Sequence, residues 1–171
     1  MSLLFVRLIL LPVGVCFALL TLSVFAYAEI HAAMAADSQS SSLRLQPNFT
    51  TAPLSITTQD GKRHDFEVEL AITLKEQRHG LMYRKHLPQD RGMLFENRPP
   101  KRAIMWMKNT LIPLDMLFIH ADGRIVYMAE NTKPMSEKLI KSPFMVRYVL
   151  ELAGGTVARL GLSLGDRVTL E

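Results

Sequence analysis

A group of polar side chains interrupts an otherwise apolar pair of predicted strands, in the string MWMKNTLIPLD from residue 105 to residue 115. These residue types provide an aromatic wall, a cation, an amide, a hydroxyl and a carboxylate, a mixture that suits recognition of a small polar or anionic molecule. The sequence therefore predicts a ligand pocket at this point. Its candidate residues are Trp106 (the only tryptophan), Lys108, Asn109, Thr110 and Asp115.

The same residues also allow a purely structural interpretation. Trp106 would fill the core, Asn109 and Thr110 would bend the chain through side-chain bonds to their own backbone, and Lys108 would pair with Asp115. Buried polar groups need partners, and this set can satisfy itself. Under the pocket hypothesis, Arg84 in the string LMYRK is a further ligand-binding candidate that reaches in from outside the string.

Paired carboxylates would support a different function, that of a hydrolase. General acid–base catalysis and glycoside cleavage use two carboxylates at a defined separation, and Asp115 could work with Asp122, Glu130 or Glu151. Nothing in the spacing forces any two of them together. Asp122 is explained by its turn, whereas Glu130 and Glu151 are explained as solvated strand residues or as partners for Arg147.

Methionines raise the question of a metal site, because thioethers select Cu(I). Methionines also fill irregular gaps in apolar cores, and no His or Cys is interleaved with these at ligand spacing. We therefore predict core packing, with no metal and no cofactor. The methionines concerned are Met82, Met93, Met105, Met107, Met116 and Met128.

The first 36 residues have the pattern of a secretory signal peptide. Arg7 precedes an apolar run from 8 to 28, and small-residue sites follow, so cleavage is expected after residue 28 or residue 36. The alternative is a leader retained as a membrane anchor, which would be the only membrane contact. Removal of the leader would also remove Cys16, the only cysteine. The expected location is the periplasm or the extracellular space.

Residues 37–52 are serine-rich and polar, which indicates a flexible tether, and residues 53–171 are expected to form a single β-rich domain. The net charge of the chain is +4, with no basic run longer than two residues. A nucleic-acid surface needs a clustered basic patch with aromatic residues among it, so no nucleic-acid partner is predicted.

Strand signals dominate the domain. Asp60–Gly61 is a favoured hairpin dipeptide, and Phe66, Val68, Leu70 and Ile72 then alternate with polar residues as in a strand with one wet face. A second hairpin turns at Asp122–Gly123. Further strands are predicted at 93–95, 103–108, 114–120, 125–130, in MVRYVLELAGG (145–155) and in LGDRVTL (164–170).

Two short helices are predicted between these strands. Thr73 and Glu76 form a capping box, and Gly80 can end this helix in the left-handed conformation. Thr156 is expected to cap the second helix. The resulting fold class is mainly β, a β-sandwich or partly open barrel with two short helices.

Three strings carry a family resemblance: GLMYRKHLPQDRGMLFEN, MWMKNTLIPLDMLFIHADGRI and YVLELAGGTVARLGLSLGDRV. In this order and spacing they resemble the "domain of unknown function 192" family, over about Val68 to Val168. The resemblance implies a small, often exported prokaryotic protein with a mainly β sandwich fold, and it implies no activity. Many members carry a cysteine near the string TKPMSE, where this chain has Met135, so thiol chemistry does not carry over.

The leading functional hypothesis is a non-enzymatic module of the bacterial cell envelope that binds a small polar or anionic ligand, or assists an envelope protein, through Trp106 to Asp115. One alternative is an envelope hydrolase that uses Asp115 with a second carboxylate. Another is a structural module that docks a partner protein on an exposed sheet edge.

Overall fold

The computed structural model describes residues 47–171. The predicted signal peptide and most of the predicted tether lie outside these residues. The first strand begins at Thr50, inside the segment predicted as tether. Within residues 47–171, neither helix has the length and hydropathy of a membrane span. In chain order the elements are β1 (Thr50–Thr57), β2 (Arg63–Ala71), α1 (Leu74–His79), β3 (Arg91–Lys101), β4 (Ile104–Met105), β5 (Leu114–Ile119), β6 (Ile125–Thr132), β7 (Ile140–Lys141), β8 (Val146–Ala153), α2 (Thr156–Leu160) and β9 (Arg167–Leu170).

Seven strands form one sheet in the order β6-β5-β8-β3-β2-β1-β9, and β4 pairs with β7 in a separate two-stranded layer. β2 and β3 run parallel and are joined through α1, whereas the other pairs are antiparallel. The large sheet curls until β9 meets the start of β6, where Arg124 bridges Arg167 and the Ile125 N–H donates to the Asp166 carbonyl at 2.9 Å. The mainly β, partly open barrel with two short helices is thereby confirmed.

The sheet buries apolar side chains on both faces. The inner core lies inside the curl and receives side chains from all seven strands, with Val157 of α2 packed among them. The outer core lies on the opposite face, where the β4–β7 layer and the segment after α1 cover Phe95, Met116 and Val149. A residue's face on the sheet therefore decides which core it enters.

Local sequence signals explain several elements. Gly61 has φ +82° in the turn between β1 and β2, a conformation that glycine adopts without a steric penalty. The capping box of α1 is formed in both directions, since Thr73 accepts from the Glu76 N–H and Glu76 accepts from the Thr73 N–H. Gly80 follows with a positive φ of 50°, but its ψ of −136° lies outside the predicted left-handed helical region.

Other strand predictions require correction. The predicted strand at 103–108 is reduced to β4, because only Ile104 and Met105 find ladder partners, in the equally short β7. The alternation of β2 ends early, since Ala71 enters the outer core and Ile72 is exposed. Thr156 does not cap α2. Gly155 holds the cap position, and the first turn of α2 is satisfied from β5, as described below.

Candidate functional site

The polar string surrounds a turn that packs onto the outer core. Asn109 adopts φ 56°, which Asn tolerates better than most residues, and the Thr110 N–H closes the turn onto the Met107 carbonyl at 3.1 Å. Trp106 is 44 % exposed, so the prediction that it fills the core is wrong. Lys108 Nζ lies 5.6 Å from the centre of the Trp106 ring.

Asp115 occupies a different environment, the inner face of β5, where it is fully buried. Its Oδ1 accepts hydrogen bonds from the N–H groups of Asn131 at 2.8 Å and Gly155 at 3.2 Å, and Oδ2 accepts one from the Val157 N–H at 2.8 Å. The carboxylate therefore ties β6 and the start of α2 to β5. The predicted pairing of Lys108 with Asp115 is wrong, because Lys108 Nζ lies 3.5 Å from a carboxylate oxygen of Glu137.

Arg84 is engaged away from the string. Its guanidinium donates to both carboxylate oxygens of Glu69 and lies 5.9 Å from the centre of the Phe49 ring. Asn109 is engaged as well, since its side-chain amide donates to the Tyr83 hydroxyl at 2.9 Å. Among the six predicted ligand-binding residues, the structure brings Trp106, Lys108 and Thr110 together around one cavity, whereas Arg84, Asn109 and Asp115 do not line it.

That cavity, here called the Glu151 cavity, has a volume of about 120 Å³. It lies between the end of α1, β3, β8 and the chain on either side of β4, which gives it room for several water molecules. Polar side chains outnumber apolar ones among the principal residues of its wall. Its principal side chains are Gln77, His79, Phe95, Asn97, Lys101, Ile104, Trp106, Lys108, Thr110, Val149 and Glu151.

Glu151 is the most unusual group in the cavity. It is 4 % exposed and projects from the outer face of β8, directly between Met93 of β3 and Met116 of β5. No side chain or amide among residues 47–171 donates a hydrogen bond to its carboxyl group, which is also in no ion pair within this range. Burial raises the pKa of Glu151 to about 8, because desolvation disfavours the charged form. The carboxyl group is therefore largely protonated at neutral pH.

The interpretation of Glu151 as a solvated residue or a partner for Arg147 is wrong. Arg147 instead donates to Glu96 at 2.9 Å. One signal in the sequence could have identified Glu151, because it is the single charged residue in the run VLELA, whose neighbours are all strand-forming or small apolar residues. A carboxyl group inside such a run is rarely buried without a partner.

His79 brings a second titratable group to the cavity from the end of α1. Its Nε2 atom is buried and has no hydrogen-bond partner in residues 47–171. Desolvation lowers the pKa of His79, and the positive charges of Arg84 and Lys75 lower it further. The cavity thus presents a neutral imidazole and a protonated carboxyl group at neutral pH, with the ammonium groups of Lys101 and Lys108 among its cations.

The carboxylate pair proposed for a hydrolase is not formed from Asp115 and Glu151. Asp115 is opposite Leu152 in the β5–β8 ladder, and Glu151 is the next residue along, so the two side chains project to opposite faces of the sheet. Asp122 pairs with Arg124 in the β5–β6 turn, and Glu130 is exposed on β6. No group of three or more His, Cys, Asp or Glu within residues 47–171 is placed to hold a metal ion.

Comparison with known proteins gives a consistent result along the whole β domain. The DUF192 family model, described as "Uncharacterized ACR", matches residues 55–170. A Sinorhizobium meliloti protein of known structure, described as a candidate transcription regulator, is 46 % identical with a TM-score of 0.72, over 73 % of this chain and 97 % of that one.

A second solved structure, a protein of unknown function from Novosphingobium aromaticivorans, is 42 % identical with a TM-score of 0.67. The similarity covers 70 % of this chain and 84 % of that chain. No curated protein matches this chain.

Proposed function

Because this chain belongs to the DUF192 family, whose description assigns no activity, we propose its function from the chemistry of the Glu151 cavity. The protein is a non-enzymatic binding module that takes up a small organic anion carrying a carbonyl or amide group. One observation carries the proposal: a buried carboxyl group without a partner among the described residues faces a cavity. Strongly perturbed pKa values are concentrated at functional sites, and the pKa of Glu151 is raised to about 8.

The protonated carboxyl group determines which ligand group the cavity floor can hold. Glu151 then presents one O–H donor and one carbonyl acceptor side by side. A primary amide is complementary to this pair, since it accepts from the O–H and donates to the carbonyl oxygen, and a carboxylate can accept from the O–H. The apolar neighbours Phe95 and Val149 would contact the carbon atoms of the ligand.

The cations of the cavity favour a negative charge elsewhere on the ligand. Lys101 and Lys108 supply ammonium groups, and the partly exposed indole of Trp106 supplies an aromatic wall beside Lys108. A negative ligand group would compete with the carboxylate of Glu137 for Lys108. That ion pair is exposed and therefore weak, so the competition costs little.

The cellular site of this binding is proposed to be the bacterial envelope, the periplasm or the exterior. Support comes from the signal-peptide pattern of residues 1–36. Cell fractionation tests this proposal, since a shortened chain is expected in the periplasmic or culture fraction. Recovery of the full-length chain in the cytoplasm would contradict it.

Titration of the purified full chain with small probes tests the ligand class. The probes are the anions acetate, lactate, pyruvate and glutamate, with glycine and acetamide, which carry no net charge, for comparison. Trp106 fluorescence and the thermal midpoint Tm are measured for each, because a ligand that binds only the folded state raises Tm. At least one anionic probe is expected to raise Tm and change the emission.

Two lysine variants sharpen this test. Lys108→Ala removes a cation of the cavity, and the affinity for the anionic probe is expected to fall about ten-fold, the loss of one charge-assisted hydrogen bond. Lys141→Ala removes an exposed cation that does not line the cavity and should leave the affinity unchanged. The proposal is wrong if no probe shifts Tm or the emission between pH 5 and pH 8.

Proton transfer to a bound molecule is a second candidate function. The observation that favours it is that two titratable residues, Glu151 and His79, face the same cavity, and that the buried Nε2 of His79 has no hydrogen-bond partner in residues 47–171. Glu151→Gln separates the two functions. Glutamine retains a donor and an acceptor, so a binding module keeps its affinity, whereas an enzyme loses turnover while still binding its substrate.

A further inference from the structure

Two segments distant in sequence form one continuous surface, which we call the β4–β7 face and define as residues 101–111 and 133–147. The β4–β7 ladder joins them at its centre. On one side of the ladder the Ser142 N–H donates to the Ala103 carbonyl at 2.9 Å, and on the other side the Met107 N–H donates to the Ser136 carbonyl at 2.9 Å. The segments therefore lie side by side over the outer core.

Exposed apolar side chains are concentrated on this face. Within residues 47–171, twelve large apolar side chains are exposed, and seven of them belong to the β4–β7 face. The outer side of the face is thus apolar, although its inner side already packs on the core through Met107 and Ala103. The seven exposed residues are Ile104, Trp106, Leu111, Met135, Leu139, Phe144 and Met145.

Positive charge is concentrated on the same face. The two segments of the β4–β7 face contain seven basic residues and one acidic residue, whereas the rest of residues 47–171 contains 11 basic and 13 acidic residues. The face is therefore strongly basic, and the remainder of the described chain is slightly acidic. Apolar and basic side chains are interspersed along it, as in Lys138-Leu139 and in Lys141 followed three residues later by Phe144.

We propose that the β4–β7 face docks on the surface of a membrane that contains anionic lipids. Exposed apolar side chains enter the boundary between headgroups and acyl chains, while neighbouring lysines and arginines remain at the level of the lipid phosphates. The attraction of each basic residue to an anionic leaflet adds to the apolar contribution. The occupant is thus a lipid surface, recognised by charge complementarity together with apolar burial.

The composition of the face favours a lipid surface over a nucleic acid. Phosphates of a nucleic acid would attract the same lysines, and bases could stack on Trp106 or Phe144. Aliphatic side chains such as Leu139 and Met145 gain nothing from a phosphate backbone, but they gain the full apolar contribution at a lipid boundary. Leu139 and Met145 therefore favour a lipid surface over a nucleic acid as the partner of the face.

Trp106 is exposed on the β4–β7 face and is the only tryptophan of the full chain, so its emission is a local readout of docking. The emission of Trp106 is measured with vesicles of phosphatidylcholine containing one quarter phosphatidylglycerol, some with brominated acyl chains. Docking is expected to shift the emission to the blue, and brominated chains are expected to quench it. Vesicles of phosphatidylcholine alone should give a much smaller change.

Matched variants test whether the β4–β7 face is the part of the protein that binds the vesicles. Lys141→Glu is expected to weaken vesicle partitioning about ten-fold or more, and Phe144→Ser is expected to weaken it as well. The controls are Lys62→Glu and Leu164→Ser, which change an exposed lysine and an exposed leucine outside the face and should leave partitioning unchanged. None of these four residues lines the Glu151 cavity.

Three results would overturn the proposal. The first is an unchanged Trp106 emission with the anionic vesicles. The second is equal partitioning of Phe144→Ser and Leu164→Ser. The third is a Trp106 response to double-stranded DNA as large as that to the vesicles, which would assign the face to nucleic acid.

Discussion

Asp115 and Glu151 are both fully or almost fully buried, and they lie on neighbouring strands of the same sheet, yet their surroundings are opposite. Asp115 enters the inner core and accepts hydrogen bonds from three backbone N–H groups, so both of its carboxylate oxygens have a donor. Glu151 enters the outer core between two methionines, with no donor among the described residues and with a cavity beside it.

This difference separates a carboxylate that maintains the fold from one that is available for binding. A carboxylate that accepts hydrogen bonds from strand and helix amides holds those elements together. Its oxygens are then already occupied by protein donors. A buried carboxyl group without a partner lowers the stability of the folded state at neutral pH. Such a cost is common at sites where a ligand or a substrate supplies the missing partner.

The largest effect is expected at Asp115. Asp115→Ala would leave three backbone N–H groups without their ionic acceptor, and each such bond contributes about 1.5–3 kcal/mol. The free energy of unfolding in urea is therefore expected to fall by about 3 kcal/mol or more. Asp115→Asn, which keeps one carbonyl acceptor, should give a smaller loss. An Asp115→Ala variant as stable as the unmodified protein would show that Asp115 does not stabilise the fold.

A change of opposite sign is expected at Glu151. The pKa of its carboxyl group rises from 4.5 to about 8 on folding, so the folded state binds a proton that the unfolded state has released between these pH values. The contribution of Glu151 to stability should be greatest below pH 4.5 and should fall as the pH rises toward 8, by about 1.4 kcal/mol per pH unit at most. Glu151→Gln removes this dependence and should raise stability at pH 7 by on the order of 2–3 kcal/mol.

Urea unfolding of both proteins at several pH values checks this prediction. The difference between Glu151→Gln and the unmodified protein should widen steadily between pH 5 and pH 8. A constant difference over this range would show that Glu151 is ionised in the folded protein and that a partner compensates its charge.

The smallest effect is expected at Glu130, an exposed carboxylate of β6 that provides a matched reference. It makes no ion pair or side-chain hydrogen bond within residues 47–171. Glu130→Gln should change the free energy of unfolding by less than about 0.5 kcal/mol, equally at pH 5 and pH 8. A larger or pH-dependent change would mean that removing any carboxylate alters stability, and the contrast between Asp115 and Glu151 would lose its meaning.

Features that depend on neighbours in sequence were predictable. The turn at Asp60–Gly61 and the capping box at Thr73 and Glu76 form because their partners are at most four residues away. The alternation in β2 likewise identified Phe66 and Val68 as buried residues. Each of these signals is local, so it can be recognised without knowledge of the remainder of the fold.

Features that depend on distant partners were not predictable from local patterns. Trp106 is exposed because the chain around it pairs with β7, more than 30 residues later, and turns its outer side to solvent. The anchoring of α2 by Asp115 spans 42 residues and replaced the predicted cap at Thr156. For the same reason the basic residues of the β4–β7 face look scattered in sequence and meet only when β4 and β7 pair.

The contact between β9 and the start of β6 limits how another chain could add to the sheet. An edge strand with free N–H and C=O groups is a template for pairing between molecules, and it promotes aggregation. Here the Val168 N–H donates to the Gly123 carbonyl at 2.8 Å and the Gly165 N–H donates to the Ile125 carbonyl at 2.8 Å, so the two edges use each other's groups. An incoming strand must displace these bonds before it can pair with the start of β6, which disfavours fibre-like self-association at this point of the edge.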